Sequence, residues 1–134
     1  MNTPSLNGID HIHVYVDRWA EAEKWYGDVL GFTRVDKFMV WAVDSGPLTL
    51  GNPQGNVHIA LFERPGHEDT SAIAFGASGE EFLDWKSHFE GKSLELRISD
   101  HELAFSMYFT DPWGNMHEIT TYDHEYVRKR LADS

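Results

Sequence analysis

The chain repeats one structural plan about sixty residues apart, and this repeat limits the folds that it can adopt. Residues 9–32, IDHIHVYVDRWAEAEKWYGDVLGF, predict a strand, an amphipathic helix and a glycine stop. Residues 71–92, SAIAFGASGEEFLDWKSHFEGK, follow the same order, and Trp85 stands sixty positions after Trp25. Three further strands are expected after each helix. We therefore predict an α+β fold in which two βαβββ modules pair into a concave mixed sheet with the helices outside.

The repeat sets the expected domain organisation. The chain is predicted to be a single domain over residues 1–134, with module 1 at about 9–66, module 2 at about 70–123 and a C-terminal helix at about 124–132. In module 1, residues 32–37 and 38–43 predict two strands, and Asp17 is expected to cap the first helix. In module 2, Ser78 and Glu81 have the spacing of a capping box. The concave sheet would offer a cleft for a small molecule.

Composition excludes several classes of partner. The 22 acidic residues outnumber the 11 basic ones, so the net charge of −11 argues against nucleic-acid binding. No apolar run approaches the roughly 20 residues that cross a bilayer, and the first residues, MNTPSLNG, lack the apolar core of a signal peptide. The absence of cysteine removes disulfides, thiolate metal sites and cysteine nucleophiles. We expect a cytoplasmic protein that binds neither nucleic acid nor membrane.

Three segments, DHIHVYV, AEKWYGDVLGF and YFTDPWGNMHE, together resemble the vicinal oxygen chelate superfamily. Its members include glyoxalase I, fosfomycin-resistance thiol transferases, methylmalonyl-CoA epimerase, extradiol dioxygenases and bleomycin-resistance proteins. The resemblance spans essentially the whole chain. It is specific for the superfamily and not for one reaction, and it implies a small-molecule substrate or ligand and a homodimer.

The resemblance also implies a divalent metal site. The His of the opening strand corresponds to His11, and the Glu after the DPxGN turn corresponds to Glu118. A third ligand is usually a His that opens the second module, where this chain has Ala72. Imidazole and carboxylate ligands suit Fe, Mn, Zn, Ni or Co, and we expect one of these ions without specifying which.

His58 is the first candidate for the missing ligand, and its orientation depends on the register of its strand. Strand alternation places His58 with Ala60 and Phe62 on the cleft face, because the more aliphatic set belongs in the core. Matching the Gly-Asn of residues 55–56 to that of residues 114–115 instead aligns Ile59 with Glu118 and turns His58 away. A shift of one residue separates the two alternatives.

Three further residues are candidates for catalysis. His13 shares a strand face with His11 and could be a second ligand, a general base or a substrate contact. His101, in a loop that borders the pocket in this family, could be an acid/base or a substrate-binding group. Tyr122 is expected on the face of Glu118 as a phenol donor, whereas His117 should point to the opposite face and have a structural role.

Two functions follow from these expectations. The first is a metal-dependent lyase, isomerase or dioxygenase that acts on a small oxygenated or aromatic compound. The alternative is a metal-free protein that sequesters a small molecule, as bleomycin-resistance members do. Ala72 favours the alternative, whereas the histidines that accompany Glu118 favour the enzyme.

Overall fold

A computed structural model describes residues 3–133 of the chain, which forms two compact units, Met1–His67 and Glu68–Ser134. Each unit contains a four-stranded mixed sheet and an α-helix, so the predicted α+β class is confirmed. None of the helices in the described part is long and apolar enough to cross a membrane.

Unit 1 has the predicted order of strands around one long helix. Its elements are β1 (Ile12–Val16), α1 (Trp19–Leu30), β2 (Thr33–Arg34), a 3-10 helix (Asp36–Trp41), β3 (Leu48–Gly51) and β4 (His58–Glu63). The sheet order is β1-β4-β3-β2, and β1 runs parallel to β4. Alternate residues of these strands, including Val14, Ile59 and Leu61, are completely buried with Tyr26 of α1. These residues form the core of unit 1.

The start of α1 differs from the prediction. Its N-cap is Arg18, whose side chain makes no capping hydrogen bond. The carboxylate of Glu63, at the end of β4, instead accepts a hydrogen bond of 3.0 Å from the backbone N–H of Trp19. Asp17 lies next to His67, 3.8 Å away, and does not cap the helix. Glu63, which is distant in sequence, therefore takes the capping role at α1 that was predicted for Asp17.

The predicted strand at residues 38–43 is wrong, because a 3-10 helix occupies most of this segment. A 3-10 helix has three residues per turn, so side chains three positions apart lie one above the other. Phe38 and Trp41 have this spacing, and their rings stack with centroids 4.6 Å apart. The alternating apolar residues that suggested a strand are partly at the surface, where Val40 and Val43 are exposed.

Unit 2 repeats the architecture and adds a C-terminal helix. Its elements are β5 (Ala72–Gly76), α2 (Gly79–Gly91), β6 (Arg97–Asp100), β7 (Phe105–Thr110), β8 (Met116–Thr121) and α3 (His124–Ala132). The sheet order is β5-β8-β7-β6, which is the order of unit 1. The core contains Phe82 and Phe89 of α2, Met107 and Phe109 of β7, and His117 of β8, each at most 3% exposed.

The N-terminus of α2 is tied to α3 as well as capped locally. Ser78 and Glu81 form the predicted capping box, with hydrogen bonds of 3.1 Å and 2.9 Å. The carboxylate of Asp123, the residue before α3, accepts a hydrogen bond of 2.7 Å from the backbone N–H of Gly79. Side chains therefore accept hydrogen bonds from three backbone N–H groups at this helix end, those of Ser78, Gly79 and Glu81.

We expect Ser78→Ala to lower the free energy of unfolding by about 1 kcal/mol, because it removes the acceptor for the Glu81 backbone N–H. Urea denaturation at neutral pH measures the change. Arg18→Ala at the N-cap of α1 is the matched control and should have almost no effect, since that side chain caps nothing. Equal losses in the two variants would contradict the assignment.

The two units differ by one residue in the turn before their last strand. In unit 1 the backbone N–H of Asn52 donates to the carbonyl of Val57, whereas in unit 2 that of Asp111 donates to the carbonyl of Asn115. The unit 1 turn is therefore one residue longer. As a result Ile59, which pairs with Ile12, corresponds to His117, which pairs with Ile73.

Candidate functional site

The histidine face is the surface of the unit 1 sheet that carries His11, His13, Tyr15, His58 and Phe62. These residues alternate with the buried residues of β1 and β4. Because of the longer turn, Ala60 is the position in β4 that corresponds to Glu118 in β8. His58 therefore shares a face with Phe62, as strand alternation favours, and the alternative register is excluded.

His11 and His13 are in direct contact on this face. Their Nε2 atoms are 3.2 Å apart, and their rings stack with centroids at 5.1 Å. The Nδ1 atom of His11 lies 2.9 Å from a carboxylate oxygen of Asp10. The ring of His13 packs on Phe62 of β4, with centroids 4.6 Å apart. The two rings are thus held together by neighbours on both sides.

The ring of His58 has different neighbours. It forms an edge-to-face contact with Phe38, with ring centroids 6.1 Å apart. It also lies over Gly51, its partner in β3, where an added Cβ would be only 3.0 Å from the His58 Cδ2 atom. The absence of a side chain at Gly51 makes room for this imidazole.

The glutamate face is the surface of the unit 2 sheet that carries Ser106, Tyr108, Glu118 and Thr120. The hydroxyls of Ser106 and Thr120 each donate a hydrogen bond of 2.7 Å to Oε2 of Glu118. Each hydroxyl has a single proton, so both protons are directed at this oxygen. Among the described residues, every hydrogen bond that Glu118 accepts falls on Oε2. The second carboxylate oxygen, Oε1, is thus left for a ligand.

Tyr108 and His101 extend the glutamate face. Tyr108 is the cross-strand partner of Glu118, and its hydroxyl lies 3.0 Å from Nε2 of His101. The guanidinium of Arg97 lies over the Tyr108 ring, 4.2 Å from its centroid. Sequence reasoning did not select Ser106 or Tyr108. Alternation along β7 and a tight turn into β8 would have placed both on the face of Glu118.

Tyr122 lies beyond the end of β8 and is 81% exposed. Its ring borders a shallow depression of about 560 Å³ on unit 2. The other lining residues are Glu102, Leu103, Asp123, His124, Glu125 and Tyr126. No hydrogen bond of the described chain joins Tyr122 to Glu118, so its predicted catalytic role stays a prediction.

His117 is completely buried on the core side of β8, as predicted. Its ring packs on Phe109 and Phe75, with centroids 5.4 Å and 6.0 Å away. Burial lowers the pKa of His117 to about 4, although the nearby charge of Asp111 opposes the shift. The imidazole is therefore neutral at physiological pH, and it lies on the opposite side of the sheet from the carboxylate of Glu118.

The six predicted site residues divide between the units. His11, His13 and His58 belong to unit 1, whereas His101, Glu118 and Tyr122 belong to unit 2. Over residues 3–133, no three His, Asp or Glu side chains converge as a ready-made metal site. The structure does bring together two pairs, His11 with His13 and His101 with Tyr108.

Comparison with known families identifies the fold. The Glyoxalase/Bleomycin resistance protein/Dioxygenase superfamily model matches residues 8–119. The chain belongs to this superfamily. The predicted resemblance to the vicinal oxygen chelate proteins is thus confirmed, over a range that includes Glu118 and excludes Tyr122. No curated protein matches the sequence significantly.

Several solved structures share the fold at low sequence identity. Lactoylglutathione lyase from Agrobacterium tumefaciens is 22% identical with a TM-score of 0.72, covering 90% of this chain and 97% of that one. The fosfomycin-resistance protein FosX from Listeria monocytogenes, in complex with Mn(II) and sulfate, is 17% identical with a TM-score of 0.64, covering 95% and 99%. An integron cassette protein from the Halifax Harbour sewage metagenome is 20% identical with a TM-score of 0.74, covering 87% and 99%.

Proposed function

We propose that this member of the superfamily is a divalent-metal-dependent enzyme that acts on a small oxygenated or aromatic compound. His11 and Glu118 are two ligands of the ion, and unit 1 supplies a third, for which His58 and His13 are the candidates. The similarity in fold to a lyase and to a manganese-containing resistance protein supports this class of function. The ion is one of Fe, Mn, Zn, Ni or Co.

The arrangement around Glu118 is the observation that carries the proposal. Two hydroxyl donors on Oε2 orient the carboxylate and leave Oε1 without a hydrogen bond in the described chain. Ligating carboxylates are commonly held in this way by outer hydrogen bonds. Glu118 therefore fits a metal ligand that coordinates through one oxygen.

The bound ion would act as a Lewis acid and would orient adjacent oxygens of the substrate. The side chains of this chain have separate tasks. His101 and the Tyr108 hydroxyl form a hydrogen-bonded pair next to Glu118, and we propose that this pair moves the proton. His13 is placed to contact the substrate or the ion, and Tyr122 is retained as a proposed phenol donor.

The test is metal analysis of protein purified without an affinity tag. We expect about one ion per chain in the wild type and at least a tenfold loss in affinity, roughly, in both His11→Gln and Glu118→Gln. His88→Gln and Glu68→Gln, at exposed positions, are the matched controls and should retain the ion. A wild type that takes up none of the five metals would exclude this function.

Absence of metal would favour the second function, the metal-free sequestration of a small molecule. The observation that favours it is the lack of ligating side chains on β5, where Ala72 and Ala74 are the counterparts of His11 and His13. Glu118 would then accept a hydrogen bond from the ligand through Oε1. The homodimer and the cytoplasmic location stay predictions, and sedimentation analysis checks the first.

A further inference from the structure

We propose that His11 and His13 together form a two-histidine chelate for a first-row divalent ion, complete within unit 1. The inference deepens the proposed function. It rests on that function only for the chemistry that the bound ion would perform. It assigns His13, and not His58, as the second imidazole ligand. The ligand is a divalent metal ion that binds imidazole, such as Zn²⁺, and its remaining coordination positions are open.

The separation of the two nitrogens matches that of a chelated ion. Imidazole nitrogens bind Zn²⁺ at about 2.0–2.1 Å, so two of them on a tetrahedral ion are roughly 3.3 Å apart. The Nε2 atoms of His11 and His13 are 3.2 Å apart. Their rings are nearly parallel, with an interplanar angle of 21°. The two nitrogens are therefore already at the separation that one ion requires, and binding needs a rotation of the rings that turns both lone pairs towards the ion.

Hydrogen bonding determines which nitrogen of His11 is available. A carboxylate only accepts hydrogen bonds, so the contact of Asp10 with Nδ1 places the proton of the neutral ring on that atom. Nε2 of His11 then has its lone pair directed at His13. With His11 neutral in this tautomer, Nε2 of His13 is the donor in the 3.2 Å contact and carries a proton in the metal-free protein. Binding of the ion requires this proton to leave Nε2, and the neutral ring then carries it on Nδ1.

The sheet holds the ring of His13 in place. The β4 partner of His13 is Ala60, whose small side chain leaves space for the ring on this face. Phe62 packs on the ring with centroids 4.6 Å apart. The ring of His58 instead contacts Phe38 and covers Gly51. Of the two candidate histidines, only His13 has a nitrogen next to that of His11.

The test uses Zn²⁺ alone as the probe, with the full-length protein and calorimetry. His11→Gln and His13→Gln should each lower the affinity for Zn²⁺ by at least about tenfold, and His58→Gln should leave it unchanged. The exposed His88→Gln on α2 is the control for non-specific binding. Circular dichroism verifies that each variant is folded.

A second readout, independent of affinity, is the tautomer of His13 in protein with ¹⁵N-labelled histidine. NMR should show its ring proton on Nε2 without Zn²⁺ and on Nδ1 at saturation, in the wild type and in Glu118→Gln. Wild-type affinity in His13→Gln, or an unchanged His13 tautomer, would overturn the chelate. If His11→Gln and Glu118→Gln lose the ion while His13→Gln keeps it, the chelate fails and the proposed enzyme survives.

Discussion

Asn115→Ala should lower the free energy of unfolding by about 3 kcal/mol, because it leaves buried polar groups without partners. Asn115 is completely buried in the turn between β7 and β8. Its Oδ1 accepts hydrogen bonds from the backbone N–H and the hydroxyl of Ser71, at 2.9 Å and 3.2 Å. Its Nδ2 donates to Asp111 at 2.8 Å. The side chain thus ties the turn to the residue that precedes β5.

The repeat supplies a matched control for this change. Asn56 is the counterpart of Asn115 in sequence, but it is exposed, and among residues 3–133 its side chain accepts a single hydrogen bond, from Asn52 at 2.8 Å. We expect Asn56→Ala to cost less than about 1 kcal/mol. Urea unfolding of both variants at neutral pH makes the comparison. Similar losses would show that the buried bonds of Asn115 are not the source of its effect.

Stability should fall by about 3 kcal/mol between pH 6.5 and pH 4, because of His117. The unfolded imidazole has a pKa of about 6.5, and burial lowers the folded value to about 4. Above pH 6.5, roughly, the ring is neutral in both states and its contribution is fully present. As the pH falls, the unfolded state binds the proton first, and the loss approaches about 1.4 kcal/mol per pH unit.

The upper part of this range distinguishes His117 from the carboxyls. Hydrogen bonds from Arg34 and His124 lower the pKa values of Glu23 and Asp100, so their contributions are lost mainly at more acidic pH. Urea unfolding between about pH 5 and 7.5 therefore reports His117. His117→Leu, which replaces the imidazole with an apolar side chain, should be nearly insensitive to pH there. An unchanged slope in this variant would refute the assignment.

The orientation of two histidines follows from the sequence pattern alone. Alternation was sufficient to place His117 in the core and His58 on the histidine face. The matching Gly-Asn dipeptides pointed to the wrong register, since a hydrogen bond from Asn52 to Val57 makes the first turn one residue longer. The hydrogen bond that closes this turn cannot be predicted from residue types alone.

Contacts between residues that are distant in sequence could not be predicted. Glu63 caps α1 from the far end of β4, and Asp123 binds the start of α2. In each case the acceptor is distant in sequence from the donor, whereas capping rules consider only residues next to the helix end. These rules therefore predicted Asp17 as the cap of α1, and they could not predict the contact of Asp123 with α2. Ser106 and Tyr108 reach Glu118 through strand pairing in the same way.

The sequence by itself determined the repeat, the α+β class, the superfamily and the identity of the six candidate residues. Hydrophobic period and turn chemistry are local properties, and they are sufficient for these conclusions. Only the tertiary structure decided which polar atoms meet. It paired Nε2 of His11 with Nε2 of His13 and saturated one oxygen of Glu118, because side-chain contacts depend on strand register and on rotamers that packing selects.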